Sequence, residues 1–303
     1  MKVLIVFMVA IFSATSLAYE LNGFSLDKLN IERSQIFRGG PPKDGIPAID
    51  QPTFIPAAKV DFLKPDDVVL AVTINGKSRA YPLRILVWHE IVNDQFQGQN
   101  LTITYCPLCG TAMVFDANID GERHTFGVSG LLYQSDVLMY DRNSESLWSQ
   151  LGLKAVSGDK VGQRLTWLPS QHLTWSAWQA KFPQGEVLST QTGYSRNYAS
   201  SAYQSYFNSP NVMFPVDYNR NELEAKAWVL GVIIDGQAKA YPLTELPKKA
   251  QLSDTFAGQS LELDLNASTQ EFSLKVNNQP HPIVKVYWFA WQAFYPTTEL
   301  YTK

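Results

Sequence analysis

Apolar and polar residues alternate strictly along Leu101-Thr-Ile-Thr-Tyr105, and strand formers dominate Thr111-Ala-Met-Val-Phe115. Both runs predict strands, and the five residues between them, Cys106-Pro-Leu-Cys-Gly110, predict a tight turn. A different pattern fills Leu83-Arg-Ile-Leu-Val-Trp-His-Glu-Ile-Val92. On a helical wheel its apolar residues occupy nearly the whole circumference, which predicts a short buried helix. Pro82, just before it, suits a first helical turn.

The pattern then recurs. Val72-Thr-Ile-Asn-Gly76 and Arg79-Ala-Tyr-Pro-Leu83 return as Val232-Ile-Ile-Asp-Gly236 and Lys239-Ala-Tyr-Pro-Leu243. Asp94, Phe96, Gly98, Gln99 and Leu101 return without a gap as Asp254, Phe256, Gly258, Gln259 and Leu261. Trp178-Gln-Ala returns as Trp291-Gln-Ala at a shorter offset, so the first copy carries an insertion, roughly Ser129 to His172. Asn-Gly and Asp-Gly predict hairpin turns, and each unit reads as hairpin, short helix, further strands and a Trp-rich helix. The fold class expected is therefore α+β and β-rich, built from two copies of a strand-hairpin/helix unit. The boundaries expected are a signal segment at 1–18, an arm at 19–66, a first repeat at 67–190, a connecting loop at 191–226 and a second repeat at 227–303. Both repeats would belong to one compact domain.

Residues shared by the copies are most simply scaffold; those that differ are freer to carry chemistry. Cys106 to Gly110 align with Asn266 to Gln270, and His89 aligns with Lys249. The distinctive chemistry thus lies in the first copy. Cys106 and Cys109 are the two cysteines of the chain. The Cys-Pro-x-Cys-Gly string is similar to the knuckle of rubredoxins and zinc ribbons, where proline stiffens the turn and glycine permits a left-handed exit. One knuckle supplies two sulfurs, so a metal needs further ligands. A redox-active or labile disulfide and a structural disulfide remain open alternatives, although so small a ring removes little loop entropy.

His89, one strand before the knuckle, is the candidate nitrogen ligand, beside the reading of a hydrogen-bonded core histidine. Met139 offers a soft sulfur to copper. In the insertion, Tyr133, Ser135, Asp136, Tyr140 and Asp141 are candidate catalytic groups, with Trp148 and Gln150 as further pocket walls; the plain alternative is a hairpin with a tryptophan in the core. His124, matched by His281, reads as structural. His172 reads as part of a helix start with Ser170 as N-cap. Asp44 and Asp50 are the plausible functional groups of the Gly/Pro-rich arm, and Gly193 to Pro215 reads as a long loop.

Met1-Lys2, the apolar run Val3 to Phe12, and Ser16 and Ala18 predict a signal peptide cleaved after Ala18 and a periplasmic or secreted protein. Later segments are too short and polar to span a bilayer. A net charge of −3 gives no footprint for nucleic acid. No Gly-x-Ser-x-Gly elbow and no phosphate-cradling glycine loop occurs.

The chain resembles the bacterial DUF 3179 family, a domain of unknown function. The matching stretches include Asp44-Gly-Ile-Pro47, Ala80-Tyr-Pro-Leu83, Trp88-His-Glu90, Tyr105-Cys-Pro-Leu-Cys-Gly110, Gly127-Val-Ser-Gly130, Leu132-Tyr133, Met139-Tyr-Asp141 and Ser146-Leu-Trp-Ser-Gln150. They cover roughly Gly39 to Leu243. The resemblance implies that His89, the cysteine pair and the insertion form one characteristic set. The expectation that follows is an extracytoplasmic metal-binding protein, zinc or copper on Cys106, Cys109 and His89, with Met139, Asp136 or water completing the shell. Such a site has room to act on a small molecule or a redox partner. The alternatives are a thiol–disulfide protein, with Cys106 as nucleophile and Cys109 as resolving thiol, and a non-enzymatic binding or assembly module.

Overall fold

A computed structural model describes residues 19–217 and 220–302. The expected signal segment lies outside them. Five sheets of four or five strands, each mostly antiparallel, make a five-bladed β-propeller. This corrects the α+β, two-unit expectation. Four α-helices are seen among the described residues: α1 (Leu83–His89), α2 (Trp175–Lys181), α3 (Gln204–Phe207) and α4 (Trp288–Phe294). A seven-residue helix rises only about 10 Å, so these are caps between strands and not a layer. The apolar periodicity located α1, but a single helical turn or two says nothing about which layer dominates.

Each copy of the repeat supplies two blades. One contains the hairpin Val68–Ile74 and Lys77–Pro82, the other Ile91–Phe96, Gln99–Cys106 and Thr111–Asp116. In the second copy the hairpin is Trp228–Ile234 and Gln237–Pro242, and the meander is Lys249–Phe256, Gln259–Asn266 and Glu271–Val276. Val69 pairs with Pro82 and Val229 with Pro242. Both hairpins turn through two residues of positive φ, Asn75-Gly76 and Asp235-Gly236, the backbone that matches strand twist. The insertion makes the fifth blade: Phe126–Tyr133, Asp136–Asp141, Leu147–Ser149 and Lys154–Ala155, with Ile36–Arg38 of the arm on its edge.

The copies interlock. Tyr287 N, at the start of α4, donates to Cys109 O at 2.9 Å, and Thr174 N, at the start of α2, donates to Thr269 O at 2.8 Å. Thr269 aligns with Cys109, so each copy holds the turn of the other. The largest apolar cluster fills this junction and contains Cys106, Cys109, Met139, Trp148, Trp288 and Trp291.

Two local expectations change. His172 lies on the strand Gln171–Thr174, and the cap of α2 is Thr174, whose side chain accepts from Ala177 N; Ser170 is not the cap. The adjacent Leu173, buried against the sheet, fixes this register. His172 is buried and its Nε2 has no hydrogen-bond partner. Burial, and then Lys285, pull its pKa from 6.5 down to about 3. A base depressed in the folded state contributes stability that is present above pH 6.5 and is lost as pH falls toward 3. Replacing His172 with Gln should flatten the pH dependence of the unfolding free energy in that window by a few kcal/mol. Denaturant titrations of both proteins across the window measure it; parallel curves would contradict the assignment.

Candidate metal centre

The strand Gln99–Cys106 delivers Cys106 at its last residue, paired with Thr111 across the turn. Gly110 leaves the turn at φ +68°, and a Cβ there would lie 2.4 Å from the Trp228 ring. Glycine is thus required twice over, by backbone conformation and by the close indole. Behind the turn, Gln150 ties both of its strands together: its Nε2 donates to Thr104 Oγ1 (2.7 Å) and its Oε1 accepts from Thr111 Oγ1 (2.8 Å).

A second tight turn meets the first. Gln134 and Ser135 both have positive φ and join the strands Phe126–Tyr133 and Asp136–Asp141, with Tyr133 paired to Asp136. Cys109 Sγ donates to Ser135 O at 3.2 Å. Cys106 Sγ, Cys109 Sγ and an Asp136 carboxylate oxygen lie within 4.8 Å of one another, all buried. Two thiolates on one zinc ion, each about 2.3 Å from it, stand at most about 4.6 Å apart, so this spacing is close to that of a ligand set. Both cysteines are free thiols. Asp136 Oδ2 accepts from Leu151 N at 2.9 Å; Oδ1 has no hydrogen-bond partner.

Burial governs the protonation of the cluster. It lifts Asp136 to about 7, raises the Cys106 thiol and raises Cys109 further, where the neighbouring Cys106 adds to it. Glu90, also buried, is pushed up to about 8 by burial, with the Asp136 charge adding to the rise. Near neutral pH, with no cation present, the two thiols and Glu90 hold most of their protons and Asp136 is about half ionised.

The remaining candidates lie elsewhere. His89 does not join the cysteines. Its Nδ1–H donates to Pro47 O (2.7 Å), and Nε2 accepts from the Tyr198 hydroxyl (2.7 Å). Burial lowers its pKa, which keeps the ring neutral. Met139 is fully buried in the apolar cluster that holds both cysteines. The Tyr140 hydroxyl donates to Asp44 (2.6 Å), and Asp50 accepts from Asn93 and Arg142; these bonds fasten the arm. Asp141 accepts from His124 Nδ1 (3.0 Å), Ser144 and Trp148 Nε1 (2.7 Å), a buried scaffold. Tyr133 packs edge-on against Phe294. The Ser135 hydroxyl is buried without a hydrogen-bond partner.

Sequence reasoning passed over two elements. Glu90 caps α1 at φ +57°, a left-handed value rare for a non-glycine residue, and is fixed by Glu90 N to Leu86 O and Tyr105 N to Glu90 O, both 2.7 Å. Its alignment with Ala250 is the signal that could have found it: a carboxyl in one copy and a methyl in the other. The second element is the segment 191–226, expected as a connecting loop. Within it, the stretch from Ser200 to Tyr206 is a strap across the knuckle. The Tyr206 hydroxyl donates to Leu108 O (2.8 Å), Tyr203 donates to Glu90 (3.3 Å), and Trp88 Nε1 donates to Ser200 O (3.0 Å).

Glu90, both cysteines, Asp136 and the strap tyrosines fall inside one family match. Residues 43–279 match the model of a family described as protein of unknown function (DUF3179). The chain belongs to that family. The DUF3179 match spans Glu90, the knuckle, Asp136 and the strap, and extends past Leu243 into the last blade. No curated protein and no solved structure matches the chain.

Burial and strap together should make the thiols slow to react. Alkylation of the reduced native protein should be far slower than that of the unfolded chain. Tyr206→Phe, which loses one hydrogen bond worth about 1 kcal/mol, should speed it about fivefold if local opening limits access. Equal rates in native and unfolded protein would contradict the placement of the cysteines.

Proposed function

We propose that this chain is an extracytoplasmic metal-binding protein whose centre is formed by Cys106, Cys109 and Asp136. One observation carries the reading: three metal-ligating side chains from two blades converge within 4.8 Å, buried, and one of them keeps an oxygen without a hydrogen-bond partner. Leaving a buried acceptor unsatisfied costs about 1–3 kcal/mol, and a cation between the turns removes that cost. Two thiolates and a carboxylate suit zinc; the hard oxygen argues against copper(I), which favours sulfur throughout. The extracytoplasmic setting is supported by the charged-then-apolar opening of the sequence.

The thiol–disulfide alternative has less support. A reactive cysteine needs a depressed pKa and access, whereas both thiols here are buried and raised. A purely structural turn gives no reason for three ligating side chains from two blades to meet.

Protein purified reduced, without chelator or metal-affinity tag, should carry about one zinc per chain by elemental analysis. Cys106→Ser and Asp136→Ala should each weaken binding by at least about 100-fold, the upper end of what removing an outer-shell partner alone costs. His89→Gln should keep the full complement. Wild-type levels of metal in the first two variants would overturn the proposal.

Metal loading should also release protons, because both thiols must ionise to bind. Calorimetry near pH 7, in buffers of different ionisation enthalpy, should give close to two protons from Cys106 and Cys109, plus a fraction from Asp136, which titrates near 7. Release well below one proton would contradict thiolate ligation.

A further inference from the structure

We infer that the fourth position of this centre is filled from outside the chain, by a water molecule held in the cavity between Cys106 and Glu90. The inference rests on the metal reading above and extends it: the site becomes an open one, able to present a water-sized ligand, and not a closed structural clip.

Three observations point to it. First, the ligand set stops at three. Among the described residues no further His, Cys, Asp or Glu joins Cys106, Cys109 and Asp136. Structural zinc is closed by four protein ligands, whereas three plus a solvent position is the open arrangement. Second, a cavity of about 30 Å³ lies beside Cys106. One water needs some 10–15 Å³, so there is room for one or two. Third, Cys106 is the one of the three ligands that reaches this cavity, and it shares the lining with Glu90, Tyr203 and the apolar Ile46, Leu108, Val128 and Leu132. A buried water needs two to four polar partners. The metal, the Glu90 carboxyl and the Tyr203 hydroxyl supply three, and the last two are already joined at 3.3 Å.

This gives Glu90 a reason to be where it is. A carboxyl at 6% exposure, on a left-handed backbone, receives one long hydrogen bond from Tyr203. That is a poor return for burying it if it serves packing alone. Facing a metal-bound water, it has a hydrogen-bond partner of its own. The same cavity sets the ligand class. Water and hydroxide match its volume.

Cobalt(II) in place of zinc tests this. Thiolate-to-cobalt charge-transfer bands report whether the cysteines bind the ion. Broadening of the cobalt paramagnetic-resonance signal in oxygen-17-enriched water reports a coordinated solvent oxygen. The expected result is both signals in the wild type, with the charge-transfer bands kept and the broadening lost in Glu90→Leu. Charge-transfer bands without broadening in the wild type would overturn the inference and leave the metal site standing. Broadening undiminished in Glu90→Leu would place the water outside this cavity and also overturn it. Absence of the charge-transfer bands would remove the metal site and the inference together. The wild-type measurement decides even if the variant does not fold.

Discussion

Desolvation is the constraint around which this protein is arranged. Two thiols and two carboxyls sit in or beside the largest apolar cluster of a propeller, with the bulk of their surface removed from water. A group placed there either holds its proton or meets a cation. Much of the surrounding architecture serves to keep bulk water away and the geometry fixed: Gln150 behind the knuckle, the Trp228 ring against Gly110, and the tyrosines of the strap in front. These contacts come from blades far apart in sequence, so the site belongs to the ring as a whole and not to the turn that names it.

The two copies of the repeat show how such a site can arise on a symmetrical scaffold. Both copies keep the hairpin register and the main-chain bond that each gives to the other's turn. What differs is what the turn carries. Where the first copy has Cys106 and Cys109, the second has Asn266 and Thr269, and where the first has Glu90 the second has Ala250. The inserted blade then adds Asp136. Backbone geometry common to both copies places the first-copy groups; side-chain identity and the insertion make them chemical.

The strands, the hairpin turns and the knuckle were legible because alternation, Asn-Gly and Cys-Pro-x-Cys-Gly are local signals. The number of sheets was not, since strand pairing between distant segments leaves no local trace: Glu186–Leu188 pairs in parallel with Lys77–Pro82 across about a hundred residues. The insertion therefore read as an addition to the first repeat instead of a blade. At the site, sequence proximity favoured His89, yet the left-handed cap at Glu90 ends α1, and the ring of His89 is taken up by Pro47 and Tyr198 while Glu90 lines the cavity beside Cys106. Asp136 was one of five candidates in the insertion, and only the meeting of two turns separates it from Tyr140 and Asp141. The strap was composed of loop-forming residues and so read as a connection; its tyrosine hydroxyls find their partners only in three dimensions.

The bond from Tyr287 N to Cys109 O joins residues separated by more than half of the chain. Contacts of such sequence separation form late in folding, because the intervening loop must be closed first. As the polypeptide is made, the knuckle strands precede the last blade and the helix that completes their cover. For that interval the two thiols stand without Trp288, Trp291 or the Tyr287 main chain beside them. Where an oxidant is present during that interval, oxidation of the nascent pair competes with its enclosure. The race is settled by how quickly the C-terminal copy docks.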